Sequence, residues 1–126
     1  MKPAELRLSP LNKTWILDLD GTLVLHNGYK TGCDEFLPGA KEFLAGIPPG
    51  DFILILTARE IEAREATEQF LLENGVRYDA LMLGAPMGER ILINDAKPSG
   101  LRTAYAVECG RNEGLEQLRV TIDPSL

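Results

Sequence analysis

Three short apolar runs, each closing on polar side chains, limit what this chain can fold into more than any other feature. Trp15-Ile16-Leu17 runs into Asp18-Leu19-Asp20-Gly21-Thr22, Phe52 to Leu56 into Thr57-Ala58-Arg59, and Arg90 to Asn94 into Asp95. Apolar runs of this length read as strands buried in a parallel sheet rather than as helices. Helical patterns alternate with them. Phe36, Leu37, Ala40, Phe43 and Leu44 recur at helical spacing around Pro38, which suits a first helical turn. Ile61, Ala63, Ala66, Phe70 and Leu71 form a second stripe over 60–74, with Asn74-Gly75 as its C-cap.

Strands alternating with helices predict an α/β fold, a Rossmann-like three-layer α/β/α sandwich around a mostly parallel five-stranded sheet. The strands are expected at 13–18, 52–56, 80–83, 90–94 and 103–107. Right-handed crossovers would put the loops after the first, second and fourth on one edge. That gathers Asp18, Asp20, Thr57, Asp95 and Lys97 at the mouth where open α/β sheets bind ligands. Asn27-Gly28 is a hairpin signal, so residues 21–37 are expected to form a small β-hairpin flap over that mouth. Residues 1–12 read as an arm or edge segment, and Leu115 to Leu118 as a last short helix or turn. At 126 residues the chain is expected to be one domain, 1–126.

The chemistry follows from charge. Two carboxylates as close as Asp18 and Asp20 repel, and a bound cation is the usual way to keep both ionised. With Asp95 they would make an oxygen-rich pocket suited to Mg²⁺, a hard cation that uses one or two carboxylates plus a substrate phosphate. Thr57 offers a hydroxyl and a backbone N–H to phosphate oxygens, and Lys97 a point charge to a transferring phosphoryl group. The formal net charge of -6 argues against a nucleic-acid partner, which would need a basic face. Cys33 and Cys109 fit no metal spacing, and two cysteines are too few for a disulfide scaffold, so a reducing cytoplasm is expected. No apolar run approaches the ~20 residues of a membrane span, and Met1 to Pro10 lacks a signal-peptide core.

The string Asp18-Leu19-Asp20-Gly21-Thr22 resembles the first motif of the haloacid dehalogenase-like (HAD) superfamily of aspartate-nucleophile phosphotransferases. Thr57 is similar to its second motif and Ile93-Asn94-Asp95 to its acidic fourth. The resemblance implies a phosphatase that hydrolyses a phosphomonoester through an aspartyl-phosphate. Asp18 would be the nucleophile and Asp20 the general acid and then base, with Thr57 and Lys97 completing the catalytic set. Gly21, Thr22, Ala58, Arg59 and Lys97 would hold the phosphate. Mg²⁺ would be held by the Asp18 carboxylate, the Asp20 carbonyl and the Asp95 carboxylate. The family's third-motif lysine normally precedes the fourth-motif strand, but no lysine lies between Lys41 and Lys97. Lys97 reaching back is favoured over Arg90 in that role. Residues 21–37 and the dozen around 80–90 are too short for a cap domain, so a minimal, capless member is expected. Such an open site suits a phosphosugar or a macromolecular phosphate, or a homo-oligomer whose neighbour closes it.

Other residues have a plainer reading beside the functional one. His26, Tyr29 and Lys30 either contact substrate or are solvated flap residues. Arg59 either reaches a phosphate or pairs with Glu60, Glu62 or Glu65 at the helix start. Cys33 reads as inert, Trp15 as core packing, and Glu60 to Glu68 as a solvated helix face. Other readings stand beside the phosphosugar phosphatase: a phosphosugar mutase or phosphonatase, each of which would need a cap; a non-catalytic phosphate-binding module on the same fold; a phosphatase for nucleotide or macromolecular phosphates; and a receiver-like domain.

Overall fold

The computed structural model describes residues 4–32 and 34–126. The reading of Cys33, and that of the first three residues of the arm, lies outside them. The fold is α/β with parallel strands, divided between two sheets.

The larger sheet has the order β2 (Thr14–Asp18), β3 (Phe52–Leu56), β4 (Ala80–Met82), all parallel. Thr14 is in register with Phe52, Asp18 with Leu56, and Leu54 with Ala80. Ile53 and Ile55 alternate into the core while Phe52 stays exposed on the other face, so the run is buried chiefly on one face. α1 (Ala40–Ala45) and α2 (Arg64–Glu73) follow β2 and β3 in the chain, α2 after a 3-10 turn at Ile61–Ala63. Leu44 from α1 and Leu71 from α2 join Leu19, Leu23, Val24, Ile53, Ile55 and Leu115 in one core. Trp15 packs edge-on against Phe43 at 5.6 Å and donates its indole N–H to Asp51, a packing role as the sequence suggested. The second sheet pairs β1 (Ala4–Leu8) with β5 (Leu118–Ile122), also parallel.

Three expectations are corrected. The single five-stranded sheet is replaced by three strands plus two. The strands expected at 90–94 and 103–107 are irregular backbone, and Ile91, Leu92 and Ile93 are 81%, 55% and 92% exposed. An apolar run becomes a strand only beside a partner ladder, and the outer edge of β2 has no strand partner among the described residues. Two strands were not expected: β1 lies in the arm or edge segment, and the turn expected at Leu115 to Leu118, closed by the Leu118 N–H on Leu115 O at 3.1 Å, leads into β5. The alternation of Ala4-Glu5-Leu6-Arg7-Leu8 and Leu118-Arg119-Val120-Thr121-Ile122 is the strand period. Finally, Asn27 takes the left-handed conformation but Gly28 enters a 3-10 turn (Gly28–Thr31), so no tight hairpin forms. The 21–37 loop closes through one antiparallel bridge, Val24 to Phe36. The Leu25 N–H donates to Glu35 O and the Leu37 N–H to Leu23 O, both at 2.9 Å.

The α2 stripe also differs from its expected form. Thr67 and Leu71 are its buried residues, whereas Ile61, which opens the stripe, is exposed. No helix among the described residues is long and apolar enough to cross a membrane.

Candidate active site at the end of β2

Asp18 is the last residue of β2, and period-two spacing puts Asp20 on the same side while Leu19 turns into the core. The Leu19 carbonyl accepts the N–H groups of Thr22, Leu23 and Val24, which folds the chain back at once. Gly21 makes the bend at φ +84°, a conformation that strains any residue with a Cβ.

The two carboxylates have different surroundings. Asp18 Oδ2 accepts the Thr22 hydroxyl at 3.0 Å and Oδ1 accepts the Arg90 guanidinium at 2.9 Å. This pair is open, with side chains 38% and 37% exposed. Asp20 faces Arg59, which β3 delivers just past its end and whose side chain is 1% exposed. Arg59 Nε and Nη2 donate to the two oxygens of Asp20 at 3.0 and 2.9 Å. Its Nη1 and Nη2 donate to the two oxygens of Asp34 at 3.1 and 2.7 Å, and Nη1 also to Thr67 at 2.9 Å. All five guanidinium N–H groups are therefore used.

Burial alone would work against the charge of Arg59, but its bonds to Asp20 and Asp34 outweigh this and raise its pKa. The Tyr29 ring lies 4.0 Å from the guanidinium carbon, and its hydroxyl donates to Glu60 at 2.9 Å. Burial and that bond to Glu60 push the Tyr29 hydroxyl up to about 12.

Arg59 thus pairs with neither a helix-start glutamate nor an open phosphate position, and Tyr29 packs inward against it. Thr57 is buried, and its hydroxyl oxygen accepts the Arg59 backbone N–H at 3.0 Å. Ala58 is exposed beside it. Of the two cations weighed for Asp18, Arg90 is in contact with it. Lys97 lies in an exposed turn in which its carbonyl accepts the Gly100 N–H. Asp95 is exposed, its carbonyl accepting the Thr103 hydroxyl at 2.7 Å.

Among the described residues no three His, Cys, Asp or Glu side chains group to hold a metal ion. Of the two carboxylates that would coordinate, Asp18 has Arg90 on its Oδ1, and Asp95 does not group with it. This arrangement does not fit the Mg²⁺ that the resemblance implies.

Two further contributions were not anticipated from the sequence. Asp34 is one acid in a polar stretch, with nothing in its spacing to mark it. Asn112 straps the C-terminal loop onto the site: its N–H donates to Gly21 O at 2.9 Å and its Oδ1 accepts the His26 N–H at 2.8 Å. It adopts φ +62° between Gly110 and Gly114, and that Gly-x-Asn-x-Gly pattern was the available signal. The Arg111 Cγ lies 3.4 Å from where a Cβ on Gly21 would stand.

No family model matches the chain, and no curated protein matches it. Among solved structures, a chain in "Structure of the Pnkp1/Rnl/Hen1 RNA repair complex" superposes with a TM-score of 0.51 at 31% identity. The match covers 67% of this chain, which spans only 29% of the length of that one.

Proposed function

We propose that the chain is a phosphomonoester hydrolase of the HAD type in which Asp18 is the nucleophile. The observation that carries the reading is the asymmetry of the two carboxylates. One is accessible at a strand end with a displaceable cation on it, and the other is fixed two residues away. An Asp18 oxygen attacks phosphorus, the ester P–O bond breaks, and the leaving oxygen takes a proton from the Asp20 carboxyl. Water then attacks the aspartyl-phosphate, Asp20 accepts its proton, and orthophosphate leaves with the Asp18 carboxylate restored. Arg90, freed from Asp18 by the incoming phosphate, supplies a guanidinium to the phosphoryl oxygens. For Asp20 to exchange a proton, one of its two Arg59 bonds must open.

The substrate class is a phosphosugar, since the acidic chain disfavours polyanions. A second reading, a phosphorylated nucleic-acid end, draws on the solved neighbour's place in an RNA repair complex.

The test is phosphate release from an aryl phosphate, a phosphosugar panel and a phosphorylated oligonucleotide, with Mg²⁺ and with chelator. Release that falls at least about 10³-fold in Asp18→Asn, the scale of losing a nucleophile, supports the reading. Release that survives the substitution overturns the mechanism. Metal dependence would mean that Asp95 moves to Asp18; release in chelator would leave the arginines as the cations.

A further inference from the structure

We infer that Asp34, fourteen positions beyond Asp20 and in the 21–37 loop, is a positioning residue that fixes Asp20 through Arg59. The guanidinium is held by two edges. Its Nε/Nη2 edge faces Asp20 and its Nη1/Nη2 edge faces Asp34, so the plane of one bidentate pair sets the plane of the other. Thr67 on α2 and the Tyr29 ring restrain the same plane from two more sides. Asp20 extends from a turn of glycine and short bonds; Asp34 lies on a loop pinned by the Val24–Phe36 bridge. Arg59 is the rigid part between them.

Charge balance indicates that this is more than a structural pair. Arg59 and Asp20 alone would be neutral. Asp34, with a side chain only 9% exposed, adds a second carboxylate, so the buried guanidinium still faces a counter-charge while Asp20 holds the proton it gives to the leaving oxygen. What the second carboxylate adds is direction. Without it the Nη1/Nη2 edge keeps one neutral partner, Thr67, and the guanidinium plane is held less firmly, as are the Asp20 oxygens bonded to it. A carboxyl that must meet a leaving oxygen within hydrogen-bond reach tolerates little of that.

The kinetic arm of the test rests on the phosphatase reading; a second arm does not. Asp34→Asn, Asp34→Glu and Thr67→Val are compared with wild type for kcat and KM on the aryl phosphate and for thermal midpoint. Amide exchange is followed at Gly21, Thr22, Leu23 and Val24, whose N–H groups hold the Asp20 turn. Positioning predicts that Asp34→Asn lowers kcat by about 10–100-fold, the usual cost of losing a group that orients a catalytic one. KM stays within about threefold, exchange at Gly21 and Thr22 speeds about 10-fold, and Asp34→Glu recovers part of kcat. Thr67→Val removes a neutral, weaker restraint on the same plane and lowers kcat by a smaller factor than Asp34→Asn does.

An Asp34→Asn variant that loses stability while kcat and the exchange of this turn stay at wild-type values overturns the inference, leaving Asp34 a structural contact. If wild type hydrolyses nothing, the phosphatase reading falls, and exchange alone decides whether Asp34 fixes Asp20.

Discussion

Residues 14–83 and residues 84–113 are built from similar material and end in different states. The first stretch turns its apolar runs into three paired strands and buries Ile53, Ile55 and Leu71 completely. The second carries the run Arg90 to Asn94, apolar at Ile91, Leu92 and Ile93, and leaves it in water. The difference lies in partners. β3 lies between β2 and β4 and takes a helix after it, whereas the later run has a side-chain hold at each end and no ladder between. Arg90 is drawn to Asp18, and the backbone of Asp95 to Thr103. Hydrophobicity makes a segment available for burial; pairing decides whether it is buried.

The largest effect that sharpens this contrast is expected at Arg59. Arg59→Met leaves Asp20 and Asp34 facing each other without a cation, and removing one partner of a buried charge group costs about 3–5 kcal/mol. Urea unfolding should register it, together with a fall in the midpoint. Ile53→Ala follows at about 2–5 kcal/mol, since the side chain is fully buried. If both cost less than about 1 kcal/mol by the same measurement, the first region is no better packed than the second.

The junction comes next. Gly114 stands at φ +83° with a Cβ position blocked by the Pro38 carbonyl, and the Leu115 N–H donates to that same oxygen at 2.9 Å. Gly114→Ala should cost about 1–3 kcal/mol through strain. It should also release the Asn112 strap, read as faster exchange of the Asn112 amide. Normal stability would mean that the loop is not seated on α1's approach as described.

These differences also show what the sequence could disclose. The strands at Thr14–Asp18, Phe52–Leu56 and Ala80–Met82 were legible because each holds a short apolar run with turn residues around it. Asp18, Asp20 and Thr57 were legible because they end those runs. The sheet's membership was not, since a one-dimensional pattern cannot say which run finds a neighbour; Ile91 to Ile93 looks like Phe52 to Leu56. Arg59 was singled out, yet its partners were sought among the glutamates next to it. Asp34 and Asn112 are set by contacts 25 and 91 positions away, to Arg59 and to Gly21, and local spacing carries no trace of them.

Tyr29 gives a smaller effect, in the pH dependence of the ordered region. Its pKa is raised from 10.0 to about 12, so the protonated hydroxyl is the stabilising form. Its contribution is complete below pH 10 and is lost as pH rises through about 12. Absorbance titration of the three tyrosines should show one ionising late, and Tyr29→Phe should remove that step. The stability gap between wild type and Tyr29→Phe should close over the same window. Three tyrosines titrating together would mean that the ring is not packed between Arg59 and Glu60.

The smallest expected effect is the most discriminating. Ile93 is 92% exposed, so Ile93→Ser removes almost no buried apolar surface and should move the stability by less than about 0.5 kcal/mol. Leu92→Ser, at a less exposed neighbour, should behave similarly. The outer edge of β2, which has no strand partner among the described residues, makes this a sharp measurement, because such an edge is a template for pairing with an exposed apolar run. A strand rises about 3.3 Å per residue, so residues 90–94 laid parallel on that edge with Asp95 at its carboxyl end would carry the Arg90 backbone about 16 Å from the mouth. The Arg90–Asp18 pair and a docked fourth strand therefore exclude one another. A cost of about 2 kcal/mol or more for Ile93→Ser would place the run in the sheet. Arg90 would then give way to Asp95 beside Asp18, and the metal chemistry that the present grouping does not fit would return. A cost near zero keeps Arg90 on the nucleophile and leaves the two regions as different as the structure draws them.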